Sequence, residues 1–475
     1  MKKNNKLWLF LINNFLIISL IGFFLSAYLV IGVQKYNRFE SGDDLAHSAQ
    51  PVWHLSKLEA PYASVLGGGS SFNDHFDPIL AFFAPFYRLW PDARVLIIFQ
   101  QIIVVLGVIP IYLFSKRKIK AKFVPLLISF LYLYFIGIQS AISSDYHSAT
   151  ISATFIGLAI FFLETKKWRL YWFNFVLALL VREDVSIYLF ALSLYGFFVK
   201  KERKVSLITA IISVVYYYLI YNFFLPLIEG RPIFSSISFG TKSMTSRIVE
   251  TLLTSPIEFL KTFFYPLIKL RNILLSSFSF GFLPFFSPLY WLMAPFTYLR
   301  HFAGDAVKYS LQRHYTATLT PILAFSAINV LKKIKFKFLI YLVLIVAIVG
   351  TFYTNRPGLD PYYPAPPIAL IFKRFFYVLP PRNDDYEKMM QLIPENASVS
   401  VQVPMVAHLI NRDEIYHIPD NYEDVDYIIL TFTESFYPMT YEGMEDLKTK
   451  LLNDPNYEQL YFSYAGVVLK KLSFH

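Results

Sequence analysis

A polytopic α-helical membrane protein of about 11 spans, closed by a C-terminal extracytoplasmic α/β domain, is the fold class this sequence predicts. Three observations predict it. Of the 475 residues, 55% are hydrophobic and only 16% charged, against about 25% charged in soluble domains. Apolar runs approaching the roughly 20 residues that a spanning helix needs recur along residues 1–355. After about residue 366 the composition turns acidic and alternating. Residues 1–365 carry 35 Lys and Arg against 17 Asp and Glu, a balance of +18; residues 366–475 carry 9 against 16, a balance of −7, and the two make the chain's +11.

The basic excess sits in five short clusters: MKKNNK at the start, SKRKIKAK at 115–122, TKKWR at 165–169, KKERK at 200–204 and KKIKFK at 332–337. Basic residues beside apolar spans stay in the cytoplasm and set orientation, so this charge does not imply nucleic acid. With every cluster inside, spans are expected near 7–33, 94–114, 123–142, 149–164, 170–182, 185–199, 205–225, 270–286, 288–301, 311–331 and 338–354. The chain then crosses the plasma (inner) membrane eleven times, starting inside and ending outside. The first run is too long for the apolar part of a signal peptide, and no small-residue cleavage site follows, so it reads as an uncleaved anchor.

The multi-span domain is expected over 1–355, with a large first outer loop at 34–92. That loop is rich in Trp, Phe and Tyr, which predicts interfacial helices lying on the membrane. The proline-rich stretch RPGLDPYYPAP, within 356–366, reads as a semi-rigid linker. In the soluble α/β domain at 367–475, DDYEKMMQLI has helical spacing and ASVSVQV alternates like a strand. PMVAHLI reads as a short helix, EIYHI and VDYIILT as strands, YEGMEDLKTKLL as a helix, and YEQLYFSYAGVVLKK as a closing hairpin. The absence of cysteine excludes disulfides, thiolate catalysis and cysteine-ligated metals.

This topology gathers the remaining polar residues on the outer face. The 34–92 loop holds 7 acidic and 4 basic residues with His47, His54 and His75, and includes RFESGDDLAHSAQ and LGGGSSFNDHFDP. SSDYHS at 143–148, RED at 182–184, the region 226–269 and RHFAGDAVKYSLQRHY at 300–315 face the same side. Ionisable residues at a membrane are costly and usually functional. Asp44, Asp74, His75, Asp145 and His147 are therefore expected to converge in one cavity open to the outer leaflet.

The blocks DDLAHSAQPVW, NDHFDPILAFFAPFY, SSDYHSATI, LLVREDVSIYLF, RHYTATLTPILAF and ASVSVQVPMVAHLINRDEIYHIP resemble, in order, the prokaryotic membrane-protein family catalogued as domain of unknown function 2079. Asp44 keeps that family's aspartate six residues before Gln50, whereas Ala49 replaces a second one. Ser148 and Ala149 likewise replace a Pro-Glu pair. The family in turn resembles the GT-C glycosyltransferases, which place an acidic motif in the first outer loop and use polyprenyl-phosphate-linked or polyprenyl-diphosphate-linked sugars. The resemblance implies a GT-C-like architecture, a bilayer and a polyprenyl-phosphate-linked sugar as partners, and transfer to an acceptor outside the cell.

Transfer of a sugar to a hydroxyl needs a base for the proton and a partner for the leaving phosphate. Asp44 is the expected base, with Asp43 as its partner or a metal ligand; the plainer alternative is that SGDD caps the next helix. Asp74, His75 and Asp77 follow three glycines. With Asp145 and His147 they offer oxygen and imidazole ligands for Mg²⁺ or Mn²⁺, or else brace the loop by hydrogen bonds. Arg300, Arg313 and His314, with Lys308, would suit a lipid phosphate, against snorkelling to headgroups. Arg182, Glu183 and Asp184 read equally as an internal ion pair, and the isolated His408 and His417 read as structural. The rival functions are a transporter or flippase for a lipid-linked or anionic substrate, and a sensory protein whose outer domain binds a partner.

Overall fold

The computed structural model describes residues 2–228, 244–311, 313–359, 366–433 and 436–472. The chain packs as two compact units. One takes Met1–Ile31, Gln100–Ser144 and Ser148–Leu370; the other takes Gly32–Phe99, Asp145–His147 and Ile371–His475.

The first unit is helical, as an apolar backbone must be when no water is there to satisfy its N–H and C=O groups. Among the described residues five helices are long and apolar enough to cross a membrane: Asn14–Asn37, Arg94–Lys118, Ser148–Thr165, Arg203–Ile228 and Lys337–Thr354. A sixth span results if Val124–Tyr134 and Ile136–Ser143, bent by 43°, count together. Eleven spans are not supported, and length is the reason. Trp168–Val181 and Val185–Phe198 have 14 residues each and Leu319–Leu331 has 13. At 1.5 Å per residue they reach about 21 Å or less, short of the roughly 30 Å hydrocarbon core.

The other missing spans are interrupted. The helix expected over 270–286 ends at Phe278, and the chain turns through Gly281 (φ 64°) and Phe282 (φ 56°). The one expected over 288–301 is α-helical only to Thr297, and the one over 311–331 only from Leu319. Residues 229–243 of the expected outer region and 360–365 of the expected linker lie outside the described residues.

Three basic clusters meet at one end of this unit. Glu164, at the end of Ser148–Thr165, has a fully buried side chain; it accepts from Lys200 Nζ (2.7 Å), Tyr195 Oη (2.6 Å) and Asn329 Nδ2 (3.2 Å). Asn329 Oδ1 in turn accepts from Lys332 Nζ (2.6 Å). Removing one partner of a buried pair strands the other charge. Lys200→Met should therefore lower stability by about 2 kcal/mol, discounted for the partial exposure of Lys200 and the nearness of Lys332. Adding Glu164→Gln should recover most of the loss. Melting curves in detergent check this, and a single variant that melts like wild type refutes it.

The second unit joins the 34–92 loop to the C-terminal α/β segment. Helix α1 (Lys2–Asn37) leads through a tight turn into α2 (Asp43–Ser56). The sheet contains β1 (Val399–Val401), β2 (Ile415–His417), β3 (Tyr427–Thr431), β4 (Tyr457–Phe462) and β5 (Gly466–Lys471), in the order β2-β1-β3-β5-β4. β1 pairs in parallel with β2 and β3, and β5 lies antiparallel between β3 and β4. The alternating segments thus form strands as their sequence predicts, and helix Tyr441–Leu452 buries Met444, Leu447 and Leu451 against Ile428, Leu430, Val467 and Leu469.

The 34–92 loop does not only offer apolar faces to a membrane surface, as its aromatic content suggested. Gln50, wholly buried on α2, donates to Ser64 Oγ (2.8 Å) and to the Arg412 carbonyl (3.0 Å). Ser64 Oγ accepts the Ile415 N–H and donates to the Ile415 carbonyl, both at 2.9 Å, so it satisfies the free edge of β2. Tyr87 Oη donates to Asn411 Oδ1 (2.7 Å), and Asn383 Nδ2 donates to the Asn37 carbonyl (2.7 Å). Buried polar groups must be paired, and here the loop and the C-terminal segment pair each other.

Candidate functional site

α2 begins without a capping side chain. Its N-cap is Gly42 and no side chain of its own accepts the free N–H groups there, so Asp43 and Asp44 lie inside the first turn rather than at the cap. The cap comes from Asp145 instead. Its Oδ2 accepts the Gly42 N–H at 2.7 Å, and its carboxylate also accepts the Leu45 N–H. A Cβ on residue 42 would lie 2.7 Å from Asp145 Oδ2, so only glycine admits this approach. Burial pushes the Asp145 pKa up, against the opposing pull of Lys35 and the two N–H groups. Asp145 positions α2: the N-cap is Gly42 of SGDD, as the plainer reading has it, while the accepting carboxylate is that of Asp145.

That position delivers Asp44 to His147. Asp44 Oδ2 lies 3.3 Å from His147 Nε2, and Asp44 Oδ1 lies 3.9 Å from His47 Nδ1 one turn along. His147 Nδ1 is 2.7 Å from the Tyr146 carbonyl, which can only accept, so Nδ1 carries the proton. In the neutral ring Nε2 then presents a lone pair toward the carboxylate. A proton or a cation must lie between them for the contact to be attractive.

The three glycines at 67–69 all adopt positive φ (84°, 90° and 97°), which carries the chain through the turn before Asp74. Asp74 and His75 lie 3.9 Å apart and are both about half exposed. Asp77 is buried at the entry to the Pro78–Phe82 turn. Burial holds the His47 pKa below its ordinary value although Asp43 and Asp74 both pull it upward. Asp43, Asp44, His47, Asp74, Asp145 and His147 thus come together around the start of α2.

The expected metal set of Asp74, His75 and Asp77 does not draw its ligand atoms together. The described side chains that do, within 4.8 Å of one another, are His54, Glu59 and Asp413. A cation already serves that place: Lys57 Nζ lies 2.8 Å from Glu59 Oε2, 3.5 Å from Asp413 Oδ1 and 3.6 Å above the Trp53 ring.

The two C-terminal histidines part company. His408 is clamped between the rings of Tyr36 and Phe39, each 4.0 Å away and nearly parallel, and burial drives its pKa down to about 3. It is structural, as its isolation in sequence suggested. His417, at the end of β2, is buried as well, 6.4 Å from the Tyr437 ring rather than clamped, and burial lowers its pKa.

Burial lowers the pKa of His47, His408 and His417 alike. As pH falls through about 6.5, the unfolded chain takes protons that the folded one refuses, so stability falls with acidification. Each histidine contributes up to about 1.4 kcal/mol per pH unit below that point and above its folded pKa. His408→Phe keeps the ring stack and should make the loss between pH 6.5 and 5 shallower, as melting temperatures against pH will show. An unchanged slope would refute it.

In the first unit, Arg300 lies in the Tyr298–Phe302 turn and is 8% exposed. Its Nη2 donates to Thr316 Oγ1 (2.9 Å), while Nε and Nη1 are buried without a hydrogen-bond partner. Among the described residues no carboxylate pairs with it. Arg313 also leaves a buried Nε unmatched, and His314 packs on Tyr315 at 3.9 Å. His314 opens a 3-10 turn, His314–Thr316, and the extended Arg313 precedes it, so both lie before Leu319–Leu331 and not inside a span as expected. Arg182 and Asp184 form a forked pair at 3.0 and 3.1 Å, the internal ion pair that the plainer reading favoured.

A bundle of apolar helices, joined in one chain to a polar unit with an acid–histidine cluster, defines a multi-helix membrane protein. The family model described as predicted membrane protein (DUF2079) matches residues 36–469, and the chain belongs to that family. No curated protein matches the chain.

Proposed function

We propose that this protein is a membrane glycosyltransferase of GT-C type, which moves a hexosyl or pentosyl group from a polyprenyl-phosphate-linked donor to an acceptor on the outer face of the membrane. The observation that carries the reading is Asp44. Its carboxylate follows the first apolar helix directly, is held by a helix start that Asp145 builds, stays 54% exposed, and lies 3.3 Å from His147 Nε2. That is a base within reach of solvent and substrate. Asp44 Oδ1 takes the proton of the acceptor hydroxyl as the hydroxyl oxygen bonds to the sugar's anomeric carbon, and the bond from that carbon to the phosphate oxygen breaks.

A divalent cation fits the same pair. Neighbouring ligands on an octahedral ion stand about 3 Å apart, and Asp44 Oδ2 and His147 Nε2 are 3.3 Å apart. Mg²⁺ or Mn²⁺ there would offset charge on the phosphate. His147 would ligate through Nε2 while the Tyr146 carbonyl holds Nδ1–H, the outer support that ligating histidines usually have. In the first unit, Arg300 supplies forked donors for a lipid phosphate.

In this reading the N-terminus is cytoplasmic and the second unit is extracytoplasmic. Transporters tend to show interrupted helices in two related halves. The sequence shows no such repeat, so the enzyme reading is preferred to the flippase. Mass spectrometry of lipids that co-purify with the protein tests it. A polyprenyl-phosphate-linked sugar is expected, and free phospholipid alone would count against it.

A further inference from the structure

We propose that the cavity lined by the helices Met244–Thr254 and Pro256–Phe264 and by the segment 302–308 holds the headgroup of a zwitterionic phospholipid with a primary ammonium, such as phosphatidylethanolamine. The site lies within the first unit and does not depend on the transfer reading.

The helix Pro256–Phe264 divides its residues among three faces. Phe259 and Phe263, one turn apart, pack on Phe302 with ring centroids 4.9 and 6.1 Å away, and His301 Nδ1 donates to the Phe263 carbonyl (2.9 Å). That face fixes the helix against the Tyr298–Phe302 turn. Glu258 and Thr262, also one turn apart, line a cavity of about 410 Å³ together with Thr251, Phe302, Asp305 and Lys308. Its volume lies within the roughly 300–1,000 Å³ of small-ligand sites. The third face carries Ile257, Leu260 and Phe264, all exposed, as is Leu253 on the preceding helix.

An exposed apolar face beside a charged cavity asks for an amphiphile. In a membrane the lipid is one: its chains cover Leu253, Ile257 and Leu260 while its head enters the cavity. The charges select the head. Glu258 and Asp305 offer carboxylates and Lys308 an ammonium, and Lys261, 3.6 Å from Glu258, adds a second ammonium beside them. Asp305 Oδ1 accepts the Val307 N–H (2.8 Å), which holds that carboxylate in place. Both signs are present in equal number, which suits neither an anionic lipid nor a free cation. A phosphate tethered to an ammonium suits it: Lys308 meets the phosphate, and the carboxylates meet the ammonium. A primary ammonium brings three N–H donors to them. A quaternary one brings none and is recognised by aromatic cages, whereas Phe302 is the one aromatic ring among the described lining residues.

Native mass spectrometry of the full chain in detergent, titrated with dioctanoyl phosphatidylethanolamine, phosphatidylcholine and phosphatidylglycerol, tests the site. The ethanolamine lipid should bind about tenfold more tightly than the other two. Glu258→Gln keeps the side-chain size and removes one charge that meets the ammonium. It should weaken binding of the ethanolamine lipid by about threefold to tenfold and leave the choline lipid unchanged, so the preference narrows. Asp305→Asn keeps the cap on the Val307 N–H and should act in the same way. Lys308→Gln should weaken all three lipids, which share the phosphate. Glu258 sits on an exposed helix face, so its variant keeps the test valid if another does not fold. Equal affinity for the three lipids, preference for another headgroup, or a preference that survives both carboxylate variants overturns the proposal.

Discussion

Asp44→Asn should reduce transfer of a lipid-linked sugar by roughly 10²–10⁴-fold, the usual worth of a positioned acid or base, while melting stays near wild type. The stability half of this expectation comes from the helix start. Gly42, not Asp44, is the N-cap, and Asp145 accepts the free N–H groups, so no cap is lost. What disappears is the attraction of one half-exposed carboxylate to a helix N-terminus, about 0.3–1 kcal/mol. Asp145→Asn should behave differently. Its amide can accept one N–H but turns an NH₂ toward the other, so both activity and melting temperature should fall. Turnover in membranes beside melting curves separates the two residues. Full activity in Asp44→Asn would remove it from the chemistry.

That contrast marks what the sequence could convey. The convergence of Asp44, Asp145 and His147 was legible in part because ionisable blocks in a very apolar chain are costly unless they share partners. The division of labour was not. Gly42 is the cap residue, but nothing local shows that the carboxylate closing it comes from Asp145, 103 residues on. The strands of the C-terminal segment were legible because short runs rich in β-branched and aromatic residues read as strands even where, as in β1 and β3, every residue is buried. The number of spans was not, because composition reports how apolar a run is and not whether its helix is continuous. Gly281 and Phe282 at positive φ interrupt one such run, and nothing in hydropathy marks them. Gln50 and Ser64 show the deepest limit. Their partners are 351 to 362 residues away, so the union of the first loop with the C-terminal segment leaves no local trace.

Arg300→Met should weaken binding of a polyprenyl phosphate by roughly 10²–10³-fold and raise the melting temperature of the ligand-free protein. The two effects have opposite signs for one reason. A buried guanidinium that donates once and leaves Nε and Nη1 unmatched holds an unpaired charge away from water. Such a charge destabilises the empty protein, and replacing it with an apolar chain of similar length often stabilises by about 1–4 kcal/mol. With a phosphate bound, an unmatched donor gains a charge-assisted hydrogen bond, and truncating one partner of a desolvated charge pair costs about 2–5 kcal/mol of affinity. A purely structural arginine predicts the reverse: its removal would break the contact to Thr316 and lower the melting temperature. Titration with a short-chain polyprenyl phosphate, followed by the shift in melting temperature, reads both quantities in one experiment. A variant that melts lower and binds as well as wild type would return Arg300 to the scaffold and leave the lipid phosphate without its seat.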